Sequence, residues 1–136
     1  MNFSLPSADK DPMGAAIADY YNLHKAGRLR VFSSLFDEDE IPVKDLFRGL
    51  KQMPVIEQTA LQMAEGKILD VGAGSGCHSL ALQEMNKEVC AIDISALSVE
   101  VMKKRGVKDA RLVNLFDATF HEQFDTILLL MNGSGI

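Results

Sequence analysis

The sequence predicts an α/β fold, a parallel sheet with crossover helices behind a helical N-terminal segment. Residues 67–82, KILDVGAGSGCHSLAL, run from an apolar strand through glycines at 72, 74 and 76 into a helical pattern. From Lys67 onward strand-like and helix-like stretches alternate, the signature of parallel strands joined by crossovers. Before Lys67 the pattern reads as helix throughout. A chain of 136 residues has room for one domain that buries about two-thirds of its unfolded surface. The expected organisation is one compact unit, with residues 1–66 as a helical cover and residues 67–136 as the sheet-bearing half.

Taken in order, the polar, proline-containing start is expected to be loosely held to about Lys10. Asp11 then caps a helix with Pro12 in its first turn, and Met13, Ala16, Ile17, Tyr20 and His24 follow at helical spacing toward Gly27, which can close it. His24 extends that stripe and reads as a packing or capping residue. The acidic run 37–40 lies beyond the apolar pairs Val31-Phe32 and Leu35-Phe36 and is expected to be a solvated loop. After Pro42, Val43, Leu46, Phe47 and Leu50 again follow a helix. Pro54 opens another whose apolar stripe is Ile56, Ala60, Met63 and Ala64, ending at Gly66.

The strands that follow are residues 67–71, 88–93, 110–114 and 124–131. Ser95 caps the helix between the second and third, and Lys103, Lys104 and Arg105 end it before Gly106. Positive charge there complements the helix dipole, so the cluster needs no nucleic-acid partner. The fourth strand is apolar at both alternating positions, which predicts burial on both faces.

Composition narrows the function. Fourteen basic against nineteen acidic residues give a net charge of −5, which disfavours a phosphate-tracking surface and with it nucleic acid. The longest apolar run, Ile127 to Met131, is far too short to span a bilayer, and MNFSLPSADK lacks the basic start and apolar stretch of a signal peptide. A cytoplasmic protein with no membrane partner is expected. Cys77 and Cys90 have no metal-ligand spacing and read as reduced, buried thiols; no metal site is expected.

The glycine turn carries the chemistry. Glycines at alternate positions let the backbone bend and approach a ligand that a Cβ would block, and the N–H groups of the next helix face the same space. A dinucleotide turn, G-x-G-x-x-G, would place its third glycine at position 77, which is Cys77. The sequence instead reads D-x-G-x-G-x-G from Asp70, with Asp93 ending the next strand. A carboxylate at position 70 repels a pyrophosphate and attracts a cationic amine.

This arrangement resembles the class I S-adenosylmethionine-dependent methyltransferases. From Asp11 onward, stretches such as IPVKDLFRGLKQMPVIEQTAL and FDTILLLMNGSGI resemble a small bacterial subgroup with a helical N-terminal cover. The resemblance implies a Rossmann-like sheet in the order three, two, one, four, with the chain truncated before strands five to seven. It implies S-adenosyl-L-methionine as cofactor and S-adenosyl-L-homocysteine as product. Gly72, Ala73, Gly74 and Gly76 would border the methionine portion and Asp70 would hold its ammonium. Asp93 would accept the ribose hydroxyls; with the ligand as its partner, its loss should leave the empty fold's stability unchanged. Ile94 would lie along the adenine, with Asn114 and Leu115 beside it and Asp117 as the alternative to Asn114. Arg48 is a candidate for the cofactor carboxylate, with a solvent-facing arginine as the alternative.

No catalytic residue is assigned. The sulfonium is already electrophilic, so holding donor and acceptor in line supplies most of the gain, and a base is needed only for an acceptor that holds its proton tightly. Asn132 is a weak candidate for orienting an amine or hydroxyl; His78 and His121 are weaker candidates for a base. The expected activity is methyl transfer to an unidentified small-molecule acceptor. The alternatives are a cofactor-binding or interaction module without turnover and an NAD-dependent oxidoreductase, the latter disfavoured by Cys77 and Asp70. With its outer edge open, the fourth strand is expected to pair with a second copy in a homodimer.

Overall fold

A computed structural model of the protein describes residues 4–117 and 120–130. A single 3-10 turn, Ala8–Lys10, leads into α1 (Pro12–Leu23), whose N-cap Asp11 accepts from the Gly14 N–H at 2.8 Å. Pro12 occupies the first helical turn, where a missing N–H leaves nothing unsatisfied. The helix closes three residues before Gly27. His24 adopts the left-handed region, φ 53°, and donates its N–H to the Tyr20 carbonyl at 3.1 Å.

The all-helical reading of the N-terminal part fails next. β1 (Leu29–Val31) and β2 (Asp39–Ile41) pair antiparallel, with Arg30 opposite Glu40. The acidic run is drawn in by charge, since Arg28 pairs with Glu40 at 3.0 Å and Arg30 with Glu38 at 3.3 Å. Exposed pairs of this kind set register more than they stabilise. Residues Val43–Phe47 and Leu50–Gln52 form 3-10 rather than α-helix.

After Pro54 comes α2 (Val55–Met63), and the expected stripe is buried only in part, at Ala64 and half-buried Ala60. Ile56 is 80% exposed and Met63 73%, while Leu61 is fully buried and Ala64 nearly so. Leu61 and Ala64 pack with Ile68, Ala81, Leu82 and Leu128, which fixes the rotation of the helix. Apolar residues on two sides of α2 left the spacing without a unique answer.

From Lys67 the expected order holds: β3 (Lys67–Val71), α3 (Cys77–Glu84), β4 (Glu88–Asp93), α4 (Ala96–Arg105), β5 (Ala110–Leu112) and β6 (Thr126–Leu128). The sheet order is β5-β4-β3-β6, parallel throughout, the predicted three, two, one, four. One set of core residues gathers Ile68, Leu82 and Leu128 with α2; another gathers Leu69, Val71, Cys90 and Ile92 with Phe120 and Phe124.

The third and fourth strands are shorter than expected. Past Leu112, Asn114 Oδ1 accepts from the Phe116 N–H at 3.0 Å, a local turn that competes with the ladder. At the start of β6 side chains take over: Asp125 Oδ2 accepts from the Lys67 N–H at 2.7 Å, and the Thr126 hydroxyl donates to the Glu65 carbonyl at 2.8 Å. Leu128 is buried, but Ile127 and Leu129 are exposed, so the strand is not covered on both faces. The expected end of the strand, Met131, lies outside the described residues.

The rotation of α2 is open to a direct test by urea denaturation. Leu61→Ala should cost about 2–5 kcal/mol, whereas Ile56→Ser should change stability by no more than about 0.5 kcal/mol. Equal losses at the two positions would mean that the helix buries the Ile56 face.

Candidate functional site

The glycine loop connects β3 to α3, and its three glycines all have positive φ, 64° at Gly72, 59° at Gly74 and 82° at Gly76. They serve different ends. A Cβ on Gly76 would stand 2.8 Å from Val107 Cγ2 and 2.9 Å from Met102 Cγ, so this glycine lets the turn pack against the end of α4. A Cβ on Gly72 would meet nothing within 4 Å, so the loop's surface there is open. Ala73, fully buried between them, donates its N–H to the Ile92 carbonyl at 3.1 Å and ties the loop to β4.

Two carboxylates flank the loop. Asp70, at the tip of β3, is fully buried; its Oδ2 accepts the Ser79 hydroxyl at 2.7 Å and its Oδ1 has no hydrogen-bond partner. Burial pushes its pKa up against the opposing pull of Ser79 and His78, the condition of a carboxylate short of compensating charge. Asp93, ending β4, accepts from the Gly74 N–H at 2.8 Å through Oδ2 and from the Ser95 N–H at 2.9 Å through Oδ1. Burial raises its pKa as well, while the Ser95 and Gly74 N–H groups lower it. Asp93 is therefore part of the empty fold, contrary to the expectation that the ligand would be its partner. A carboxylate offers about four acceptor positions, so room remains for two further donors.

The rest of the predicted set is dispersed. Ile94 is half-exposed beside Asp93. The Asn114 side chain holds its own loop through Phe116, and Leu115 packs against Leu69, Val71, Cys90 and Ile92. Asn114, Asp117 and His121 line a cleft of about 340 Å³ beside β5, together with Leu112 and Phe120. Neither the glycines nor Asp70 and Asp93 line that cleft. The glycine loop, where both carboxylates converge, is the stronger candidate site. Asn132 lies outside the described residues.

Contacts from the N-terminal part reach the loop at several points. Ser75 donates its hydroxyl to the Leu46 carbonyl. Arg105 donates to the Ser75 carbonyl at 2.7 Å and lies 4.7 Å from the centre of the Phe47 ring. Ser95 caps α4 by accepting from the Ser98 N–H and donates its own hydroxyl to Asp11. Deeper in, Glu57 Oε1 lies 3.1 Å from His78 Nε2 and accepts from Arg48 Nη2 at 3.2 Å. Arg48, only 23% exposed, is neither solvent-facing nor alone.

Sequence reasoning missed Glu57, Ser79 and Arg105. No spacing rule links Glu57 to His78, twenty-one positions apart and on different helices. Among the described residues no group of three His, Cys, Asp or Glu is placed to hold a metal, and no helix is long and apolar enough to cross a membrane. Cys77 and Cys90 are free and buried; burial pushes the Cys90 thiol up to about 12, where it is unreactive.

A parallel sheet carrying a glycine turn and two acidic strand ends at its carboxyl edge has the form of a nucleoside-cofactor domain. Comparison with known proteins narrows the class. Residues 68–133 match the family model described as a methyltransferase domain. The chain is 76% identical to a SAM-dependent methyltransferase from Bacteroides fragilis, crystallised in complex with S-adenosyl-L-homocysteine; the match has a TM-score of 0.91 and covers 96% of this chain and 54% of that one. It is 31% identical over 106 residues to the cypemycin N-terminal methyltransferase of Streptomyces sp, covering 73% of this chain and 43% of that protein. It is 35% identical over 65 residues to an uncharacterized methyltransferase of Staphylococcus carnosus, covering 48% of this chain and 31% of that protein. The chain thus spans less than two-thirds of the length of each. Over the matched residues it is similar to S-adenosylmethionine-dependent methyltransferases.

Two measurements follow from this geometry. Burial alone would lower the His78 pKa, but Cys77, Asp70 and Glu57 outweigh it and raise the pKa from 6.5 to about 8. Because the folded value is the higher, the proton's stabilisation is complete below pH 6.5 and is lost as pH rises through 8, an amount of about 2 kcal/mol. Urea unfolding at pH 6 and pH 9 should show that difference in the wild type and lose it in His78→Gln. Asp93→Ala should destabilise the ligand-free protein by about 1–3 kcal/mol, and an unchanged melting temperature would show that its two N–H partners find water as readily.

Proposed function

We propose that this domain binds S-adenosyl-L-methionine on the open face of the glycine loop and presents its methyl group to a small-molecule acceptor. The observation that carries the reading is Asp70: a fully buried carboxylate with an unpartnered Oδ1, one residue before Val71 and the loop. An ammonium group compensates that charge, whereas a pyrophosphate would aggravate it. Gly72, Ala73, Gly74 and Gly76 border the methionine portion in this reading. The two remaining acceptor positions of Asp93 suit a pair of ribose hydroxyls, Ile94 offers an apolar face to the adenine, and Asn114 or Asp117, with Leu115 behind, lies toward its amine. The Bacteroides fragilis protein, crystallised with S-adenosyl-L-homocysteine, supports the same cofactor here.

When bound, the cofactor supplies an electrophilic methyl group. The chain's own residues anchor its two ends, exclude water from the buried carboxylate and hold the donor in one orientation. Most of the rate gain in such a transfer comes from placement. Asn132, following the fourth strand, is read as orienting the acceptor's amine or hydroxyl. Residues 1–66 act as a cover over one compact unit, and the protein works in the cytoplasm. The outer edge of β6, with Ile127 and Leu129 exposed beside it, is read as the seam of a two-fold homodimer. Sedimentation at several concentrations checks that seam; a monomer throughout removes it.

Calorimetry with S-adenosyl-L-homocysteine and with NAD tests the main reading. The first should bind and the second should not. Asp70→Asn keeps an acceptor for Ser79 but removes the charge, and should weaken binding about ten- to a hundredfold. Release of labelled methyl separates an enzyme from a silent binding module.

A further inference from the structure

The glycine loop is held from three directions. Ala73 and Gly74 bond to β4, through the Ile92 carbonyl at 3.1 Å and the Asp93 carboxylate at 2.8 Å. Gly76 rests on Met102 and Val107 at the end of α4, with no room for a Cβ between them. Ser75, fully buried, is gripped twice: its hydroxyl donates to the Leu46 carbonyl, and its own carbonyl accepts from Arg105 Nη1 at 2.7 Å.

Dipole complementation at the end of α4 accounts for Lys103 and Lys104, which are exposed, but not for where Arg105 goes. Arg105 is half-buried and forms no ion pair among the described residues, and burial pulls its pKa down. A cation serving the dipole alone would sit in solvent without that cost. Its contacts explain the placement. The guanidinium reaches the Ser75 carbonyl at one side and lies 4.7 Å from the centre of the Phe47 ring, which itself packs 4.7 Å from Tyr20. A planar guanidinium can donate along its edge while its face lies on an aromatic ring, so one side chain joins the loop to the N-terminal segment. We propose that Arg105 is a positioning residue for the cofactor: seated against Phe47, it fixes the Ser75 carbonyl and with it the shape of the glycine loop. This rests on the reading of the loop as an S-adenosylmethionine site and goes beyond it by naming a residue outside the loop that sets the loop's shape. Without Arg105 the buried Ser75 carbonyl loses a charge-assisted donor, and the loop moves to replace it.

The test reads the loop and the ligand separately. In ligand-free Arg105→Met the Gly72 and Gly74 amide resonances should shift, while those of Thr126 and Leu128 in β6 stay in place. Calorimetry on the same variant should show S-adenosyl-L-homocysteine weakened about tenfold. Arg105→Lys keeps a donor for Ser75 and a cation for the Phe47 ring, and should bind within about threefold of the wild type. Phe47→Leu should move the same two glycine amides, a second reading that stands even where Arg105→Met is unstable. Combined with Arg105→Met it should cost less than about twofold more in affinity, because both act through one contact. Unmoved glycine amides or full affinity in Arg105→Met would overturn the assignment. Arg105→Lys binding no better than Arg105→Met would overturn it too, by showing that Arg105 serves α4 alone. A wild type that does not bind S-adenosyl-L-homocysteine would remove the cofactor reading, and the glycine amides would still decide whether Arg105 sets the loop.

Discussion

Asp93 ties the glycine loop to the start of α4. One carboxylate oxygen takes the Gly74 N–H of the glycine loop and the other takes the Ser95 N–H at the start of α4. Ser95 in turn caps α4 and donates to Asp11, the N-cap of α1. A chain of hydrogen bonds therefore runs from the N-terminal helix to the glycine loop, through groups that are buried or part-buried. In that setting each bond matters less for its net gain than for the cost of leaving its partner unsatisfied. The crowding at Gly14 belongs to the same junction, since a Cβ there would run into Asp11 Oδ2 and Ser95 Oγ.

Asp70 presents the opposite case. Ser79 satisfies one oxygen, the other is left over, and burial raises the carboxyl's pKa. A strand tip with an apolar residue in that place would pack without the penalty. The cost is tolerated next to an open loop surface at Gly72, which is where a cationic ligand would lower it. The two aspartates thus differ: Asp93 holds the loop through two backbone N–H groups, and Asp70 keeps a buried oxygen without a partner.

The legible parts of the fold are those set by local patterns. The stretch from Lys67 to Arg105 follows strand, glycine turn, helix, strand and capped helix, with residues of local role at its boundaries: Gly76 in the turn, Ser95 as a cap and Gly106 at φ 98°. The β1–β2 ribbon escaped because charge pairing across it, not alternation within it, draws the two short strands together. The face of α2 escaped because Leu61 is chosen by what β3 and α3 present, and nothing in the helix itself ranks Leu61 above Ile56. Asp70 and Asp93 were visible as motif positions, yet the loop-building role of Asp93 was not. Its Gly74 partner lies nineteen residues earlier and becomes a neighbour only when the parallel strands align.

Glu57 links the N-terminal part to the sheet-bearing part. Its carboxylate joins Arg48 to a fully buried His78 on α3, while Ser75 and Arg105 bind the Leu46–Phe47 segment to the loop from the other side. Separating the two parts would expose His78 and the Ser75 contact together and leave Asp93 holding a loop with no cover. A ligand that bridges Asp70 and the cover binds only the assembled arrangement, so by mass action it stabilises the contacts on both sides of the loop at once. For a ligand of that kind, affinity and N-terminal docking would be two measures of a single equilibrium, so a weakened contact in residues 1–66 would weaken binding even without touching the ligand.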